Sequence, residues 1–575
     1  MASQLRFCGE EFAELKFSKN HCPQFVLAGV NPFGPYQIFA CICILYATIE
    51  WSGNATFPSV LGAVQPTWQC GHHDGSISYI KIEGNEAENC QQIALCANLT
   101  AIRNSTGFYS LVASYQLICD EKKRLKTIQL IQAIGNLVGA LVGGHIGDHF
   151  GRMTGFFTSQ LCIQVTSVMT VAAKTWYTFA ICQAFNGFFY GIIEVMSLTL
   201  MMEYTNNRYR LIANASFQKP LAYLVIALIA YLTKDWQHYF IFLNLVTSPT
   251  AIAFMLFLES PRWLVASGRL EEACEVLNDM AHPRWNNTGL KFTANDLNLI
   301  PSDSPKSRPF CYNIYHLFCT KRLIKQSLMQ LLSMFTYAMV SASYVFVARG
   351  MHDNAILFTF FDGLCRLIIP LAIVFLDFKF YRFGRKLQFI LSLTLICVCY
   401  AAVIILIVLH TNYDHVSITV IVVIATMFNE SAVWMNIVQI TTQRFPTVIR
   451  CIAFGCTYAI KHAGFIVAIM CIEPLLDNHP IWAFIIPEVF LLMTLLFGLF
   501  FQPETKGKAL LDRLIEGNFG RVENEIPKAL MRVAAIHRFS EMPVRERLRG
   551  RKPNGNEDTK KQSYSIEEVD VASET

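Results

Sequence analysis

The sequence predicts an all-α polytopic membrane protein with 12 transmembrane helices in two six-helix halves, and three observations carry that reading. The 575-residue chain is 53% hydrophobic and only 15% charged, where soluble domains carry about 25% charged residues, and its mean hydropathy is +0.37. Apolar runs of the ~20 residues needed to cross a ~30 Å hydrocarbon core recur along its length. A short charged turn occurs twice, as Gly144-His145-Ile146-Gly147-Asp148-His149-Phe150-Gly151-Arg152 and as Tyr381-Arg382-Phe383-Gly384-Arg385-Lys386, with the Gly-Arg steps 233 residues apart (384 − 151). A repeat of that period points to a duplicated bundle, the arrangement of many membrane transporters.

The apolar runs fall at 34–56, 127–147, 153–173, 176–202, 211–233 and 238–258, then at 325–348, 354–376, 387–409, 416–443, 449–473 and 480–501. Glu50 and Asn54 interrupt the first, and Gln218, Lys219 and Pro220 lie in the fifth. Arg152, Arg208, Arg210, Arg382, Arg385, Lys386, Arg444 and Arg450 all fall in even-numbered connections. Basic short loops stay cytoplasmic, so both termini are expected on the cytoplasmic side of the plasma membrane. Residues 1–33 form the expected cytoplasmic N-terminus and do not read as a cleavable signal peptide. The first half is 34–258, the second 325–502, with a cytoplasmic central loop at 259–324 and a largely disordered cytoplasmic tail at 503–575. Trp176, Trp236 and Trp482 sit at span edges, where interfacial anchors belong. The net charge of +5 follows the loop bias and does not imply nucleic acid.

The long outer loop, 57–126, carries Cys70, Cys90, Cys96 and Cys119. An even number in an oxidising compartment predicts disulfides, with three possible pairings left open. Of six Asn-x-Ser/Thr triplets in the chain, topology leaves Asn98 and Asn104 as the glycosylation candidates. The central loop opens with Glu259-Ser260-Pro261-Arg262-Trp263-Leu264 and then Ser267–Ala273, read as a short amphipathic helix.

On these features the chain resembles the major facilitator superfamily, and more narrowly the organic cation/anion/zwitterion transporters of solute carrier family 22. The residues that carry the resemblance are the cysteine-bearing outer loop, the Gly144–Arg152 turn, Glu203 with Arg210, Glu259–Leu264, Arg444-Phe445-Pro446-Thr447 with Arg450, and Pro503-Glu504-Thr505-Lys506-Gly507. The resemblance implies a major facilitator fold whose halves rock about a central cavity. Asp148, Arg152, Glu203, Arg210, Arg385 and Arg450 are the expected gating residues, with Asp148 capping a neighbouring helix and Arg152 reaching Glu203. His149 and Met153 replace the family's basic residues, Tyr381 replaces an Asp, and Gln443 replaces an acid. The second latch should therefore be the weaker one.

Ionisable residues deep in spans are costly and mark function. Lys219, Arg366, Lys461, His462 and Glu430 are the expected substrate-binding residues, with Glu194 placed to pair with Lys219 across adjacent spans. Spacing from Pro446 puts Met435 and His462 where cation-carrying relatives hold acids. Lys461 and His462 point about 100° apart on a helix, so only one of them should line the cavity. Phe335, Tyr337, Tyr344 and Phe346, with Phe358, Phe360 and Phe361, are the aromatic candidates, Tyr344 and Phe361 foremost. The expected substrate is a small organic ion, anionic or zwitterionic, within the lipid bilayer. An organic cation carrier, a sugar-type porter and a binding-only sensor are the alternatives. The sequence holds no phosphate loop, metal-ligand cluster or activated nucleophile, so neither an enzyme nor a cofactor is expected, and a monomer suffices.

Overall fold

The computed structural model describes residues 34–71, 76–81, 86–102, 107–205, 209–213, 218–282, 293, 312–349, 355–380, 382–409, 415–506 and 510–511. The N-terminal segment 1–33 and the tail beyond 511 lie outside the described residues, as do Tyr381 and Asn104.

Helix α1 (Pro35–Thr56) opens with proline at its first position, where a missing N–H costs nothing. An outer segment then forms an antiparallel sheet of β1 (Trp68–Gly71), β2 (Ile77–Ile80) and β3 (Asn98–Ala101) in the order β2-β1-β3. Helix α2 (Glu86–Ala94) lies between β2 and β3. The longer helices of the first half are α3 (Lys122–Phe150), α4 (Arg152–Val171), α5 (Trp176–Tyr204), α6 (Gln218–Thr233) and α7 (Trp236–Thr247), the last continued by Pro249–Ala253. Two short helices follow, α8 (Pro261–Ala266) and α9 (Leu270–Ala281). The second half comprises α10 (Lys321–Arg349), α11 (Ala355–Lys379), α12 (Arg385–Val408), α13 (His415–Phe428), α14 (Trp434–Arg444), α15 (Arg450–Val467), α16 (Glu473–Asn478) and α17 (Pro480–Phe501). A π-turn, Asn429–Val433, joins α13 to α14, and another, Ala468–Ile472, joins α15 to α16. Each of the twelve expected spans thus coincides with a helix or a joined pair. Eight are long and apolar enough to cross a membrane on composition alone. Helices such as α4 fall short because they bury polar residues, including Gln160, Ser167 and Thr170.

The outer loop was expected to be a disulfide-bearing connection, and it holds a small sheet whose core is continuous with the neighbouring helices. Trp68, Phe108 and Leu111 pack against Phe57, Phe179, Trp236 and Tyr239. Trp236 is accordingly buried rather than interfacial, while Trp482 is exposed. The disulfides are Cys70–Cys96 and Cys90–Cys119. The first ties β1 to the turn entering β3; the second ties α2 to the start of α3. Asn98 lies exposed on β3.

Glycines set the closest helix crossings. Gly135, Gly139 and Gly143 of α3 face the backbone of α5, where an added Cβ would collide with Ala184, Phe188 and Ile192; small residues let membrane helices approach this closely. Gly144 and Gly455 bring α3 against α15, joining the two halves, and a Cβ on Gly455 would stand 2.6 Å from the Ala140 carbonyl oxygen. Gln132 bonds across helices to the Asn54 carbonyl and Gln183.

Candidate functional site

Two ionic clusters lie where the halves meet. In the first, Glu194 of α5 is fully buried and accepts two bonds from Lys461 of α15, at 2.5 and 2.6 Å. Lys219 of α6 stands 3.4 Å from the same carboxylate, and His462 Nε2 is 3.4 Å from its other oxygen. Tyr190 donates to it at 3.2 Å. Both Lys461 and His462 therefore face one carboxylate. The carboxylate sits between the two positions, so the angle separating them on the helix does not keep either away. Lys219 Nζ also lies 4.8 Å from the Trp434 ring centre and 6.0 Å from that of Trp51. Its side chain is 20% exposed and Lys461 only 4%, so Lys219 is the more accessible cation.

The second cluster is built on Arg366 of α11. Its Nε donates to Asp362 at 2.8 Å, and its Nη1 is 3.3 Å from Glu430. Asp362 was not singled out in the sequence, although it lies one helical turn before Arg366, a spacing at which opposite charges meet. Tyr337 donates to Glu430 at 2.5 Å, and Ser341 bonds its other oxygen. Glu430 is carried by the Asn429–Val433 π-turn, a distortion common at functional sites. Asn429 beside it donates to the Tyr337 carbonyl and to Ser341, both at 2.9 Å. The Arg366 guanidinium lies over Tyr223 of α6, 5.5 Å from the ring centre. Of the aromatic candidates, Phe361 is half-exposed beside Phe360, and the side chain of Tyr344 lies outside the described residues.

The gating candidates gather at the end of the bundle that carries the basic connections. Arg152 is fully buried: it donates to Asp148 at 2.9 Å and to the Thr447 carbonyl at 2.7 Å, and its Nε is 3.4 Å from Glu203. Asp148 accepts from the backbone N–H groups of Cys451 and Ile452 and so caps α15 in the other half. Glu203 accepts from Arg450 at 2.6 Å. Its partners are thus Arg152 and Arg450, while Arg210 bonds the Thr205 carbonyl.

At the second turn Arg385 takes its acid from outside the turn, and its partners all belong to the second half. Arg385 makes a forked pair with Asp377, at 2.8 and 3.3 Å, and Lys506 joins at 3.2 Å. The acid comes from the end of α11 instead of from the turn. Glu259 accepts from the N–H groups of Arg152 and Met153, and Glu504 from those of Arg385 and Lys386. The two turns therefore share a cap: a distant glutamate seated on a Gly-Arg helix start. Gly151 needs its glycine twice over, with φ at +110° and Glu259 in the space of a Cβ. Glu504 fills the same space at Gly384.

The comparisons agree with this architecture. The family model described as sugar (and other) transporter matches residues 89–513. Human solute carrier family 22 member 16 is 26% identical over 423 residues, 72% of this chain and 70% of that protein. Mouse solute carrier family 22 member 3 is 24% identical, covering 53% of this chain and 57% of its own length. Among solved structures, the MFS proton:xylose symporter XylE bound to 6-bromo-6-deoxy-D-glucose superposes with a TM-score of 0.61 at 16% identity, over 84% of this chain and 98% of that one. With a family model covering most of the chain, the fold of a major facilitator and relatives in solute carrier family 22, this protein belongs to the sugar (and other) transporter family and is a membrane transporter of the major facilitator superfamily.

Proposed function

We propose that the chain carries small amphipathic organic zwitterions, and more weakly organic anions, across the plasma membrane by alternating access, with both termini cytoplasmic. The observation that carries this is the unequal charge of the two clusters. Glu194 is faced by two lysines, which leaves one cation in excess. Arg366 is faced by two carboxylates, Asp362 and Glu430. A substrate carboxylate would compete with Glu194 for Lys219, and a substrate ammonium would be drawn to the Asp362–Glu430 side. Aromatic rings at Trp51, Trp434 and Tyr223 supply flat apolar walls between. Closing on substrate would favour release of the Arg152–Glu203–Arg450 latch, since the same helices, α5 and α15, carry Glu194, Lys461, Glu203 and Arg450.

Two single-charge variants test the reading in reconstituted vesicles, using a trimethylammonium carboxylate, its methyl ester and a simple carboxylate. Lys219→Gln should raise the KM of the zwitterion and the carboxylate about tenfold, roughly 1.4 kcal/mol of lost charge recognition, and spare the ester. Asp362→Asn should weaken the zwitterion and improve the carboxylate. Unchanged selectivity in both variants would contradict the two-cluster site.

A further inference from the structure

The register of the outer sheet gives it two unlike faces. Trp68 pairs with Ile80 and Ala101, and Cys70 with Ser78 and Leu99; residues paired across antiparallel strands point to the same side. Trp68, Cys70 and Ile80 are buried, and Leu99 and Ala101 pack against the same core, so this face looks inward. The opposite face carries Gln69 with Tyr79 and Thr100, and Gly71 with Ile77 and Asn98. Tyr79 is 67% exposed there and Ile77 57%.

This apolar pair stands on β2, an edge strand of sequence Ile-Ser-Tyr-Ile. It has none of the charges or prolines that usually protect an exposed edge, so the face calls for a cover.

The same face holds the means of covering it. Asn98 is exposed and opens the triplet Asn98-Leu99-Thr100. Gly71 lies between Asn98 and Ile77 in the register. A Cβ on Gly71 would stand 3.7 Å from the Asn98 Cβ and backbone oxygen and would meet no atom on the β2 side. The glycine therefore leaves a shallow trough running from Asn98 to Ile77. Strands lie ~4.8 Å apart, so the trough is about 10 Å long, a length that the paired N-acetylglucosamines of an N-glycan core span. Their rings present C–H groups that pack on aromatic and aliphatic side chains, while their hydroxyls stay in water. The Cys70–Cys96 and Cys90–Cys119 bridges put this loop in an oxidising compartment, where such triplets are glycosylated.

We propose that Asn98 carries an N-linked glycan whose first two sugars lie over Gly71 and cover Ile77 and Tyr79, forming the outer layer of this sheet. The proposal rests on the outer placement of the loop and is independent of the substrate carried. The carbohydrate shields the β2 edge from pairing with a second copy.

The test uses full-length protein purified from glycosylating eukaryotic cells. Portions are left intact, trimmed by an endoglycosidase to a single N-acetylglucosamine, or fully deglycosylated by a peptide amidase. Because the sugar is removed after folding, no variant has to fold without it. Peptide mass analysis reads occupancy at Asn98, and hydroxyl-radical footprinting reads the modification rate of Tyr79. The expected result is an occupied Asn98 and a Tyr79 that reacts several-fold faster after full removal, with the trimmed form between. An unmodified Asn98 would overturn the proposal, as would a Tyr79 equally reactive with and without its glycan. Protection that survives deglycosylation but disappears on dilution would also overturn it, marking a second copy as the cover.

Discussion

Glu194 is the residue on which the central site turns. Three basic side chains converge on it, and its burial is complete. Removing one partner of a buried pair leaves an uncompensated charge, at a cost of about 3–5 kcal/mol. Glu194→Gln should therefore lower thermal stability by that order, because Lys461 stays buried. Adding Lys461→Met should restore much of it, which unfolding of the single and double variants in detergent will measure; a double variant as unstable as the sum of its parts would argue against direct pairing. The Glu194–Lys219 pairing was legible in the sequence because both lie a similar number of residues inside their spans. The role of Asp362 was not, since an acid one turn from an arginine reads as a local pair until Glu430 is seen on the other side of the guanidinium. Asp377 was missed for a related reason: it ends a long apolar helix eight positions before its partner Arg385, and only the folded turn brings the two together.

Helix positions were readable from apolar run length, but features made by packing or by short range were not. The strands of the outer sheet are four residues each, too short for alternation to stand out, and the two π-turns have no signature of their own. The disulfide pairing also needed the structure, because spacing alone allows every combination. Peptide mapping without reduction should recover Cys70 linked to Cys96 and Cys90 linked to Cys119; removing the second bridge by paired serine substitution should cost about 2–5 kcal/mol, seen as a lower unfolding temperature. The α3–α15 crossing makes a sharper prediction. Gly455→Val places branched carbon against the Ala140 carbonyl and the Gly144 backbone, which no side-chain movement relieves. The helices must separate, so cross-linking of cysteines introduced on α3 and α15 near this level should fall several-fold relative to the parent glycine protein.

At the scale of the whole molecule, the two halves are joined by ion pairs at both ends, and the ends differ. At the basic end, Arg152, Glu203 and Arg450 are fully buried and bridge the halves together with Asp148. At the other end, the pair between Lys126 of α3 and Glu473 of α16 is 3.4 Å long, against 2.6 Å for Arg450–Glu203, and Lys126 is 32% exposed. Exposed pairs contribute little, so the balance between states rests on the buried latch. Arg450→Ala should shift the population toward opening at the basic end, measured as longer distances between spin labels on α3 and α15 at that end; unchanged distances would remove the latch from the cycle. The duplication seen in the two Gly-Arg turns extends to their glutamate caps, Glu259 in the first and Glu504 in the second. The most direct test of the account as a whole is uptake of a labelled trimethylammonium carboxylate into vesicles containing the purified protein. The account predicts saturable uptake that is stimulated by the same compound preloaded inside and that exceeds uptake of the matched methyl ester. Binding without uptake or trans-stimulation, or preference for the ester, would contradict it.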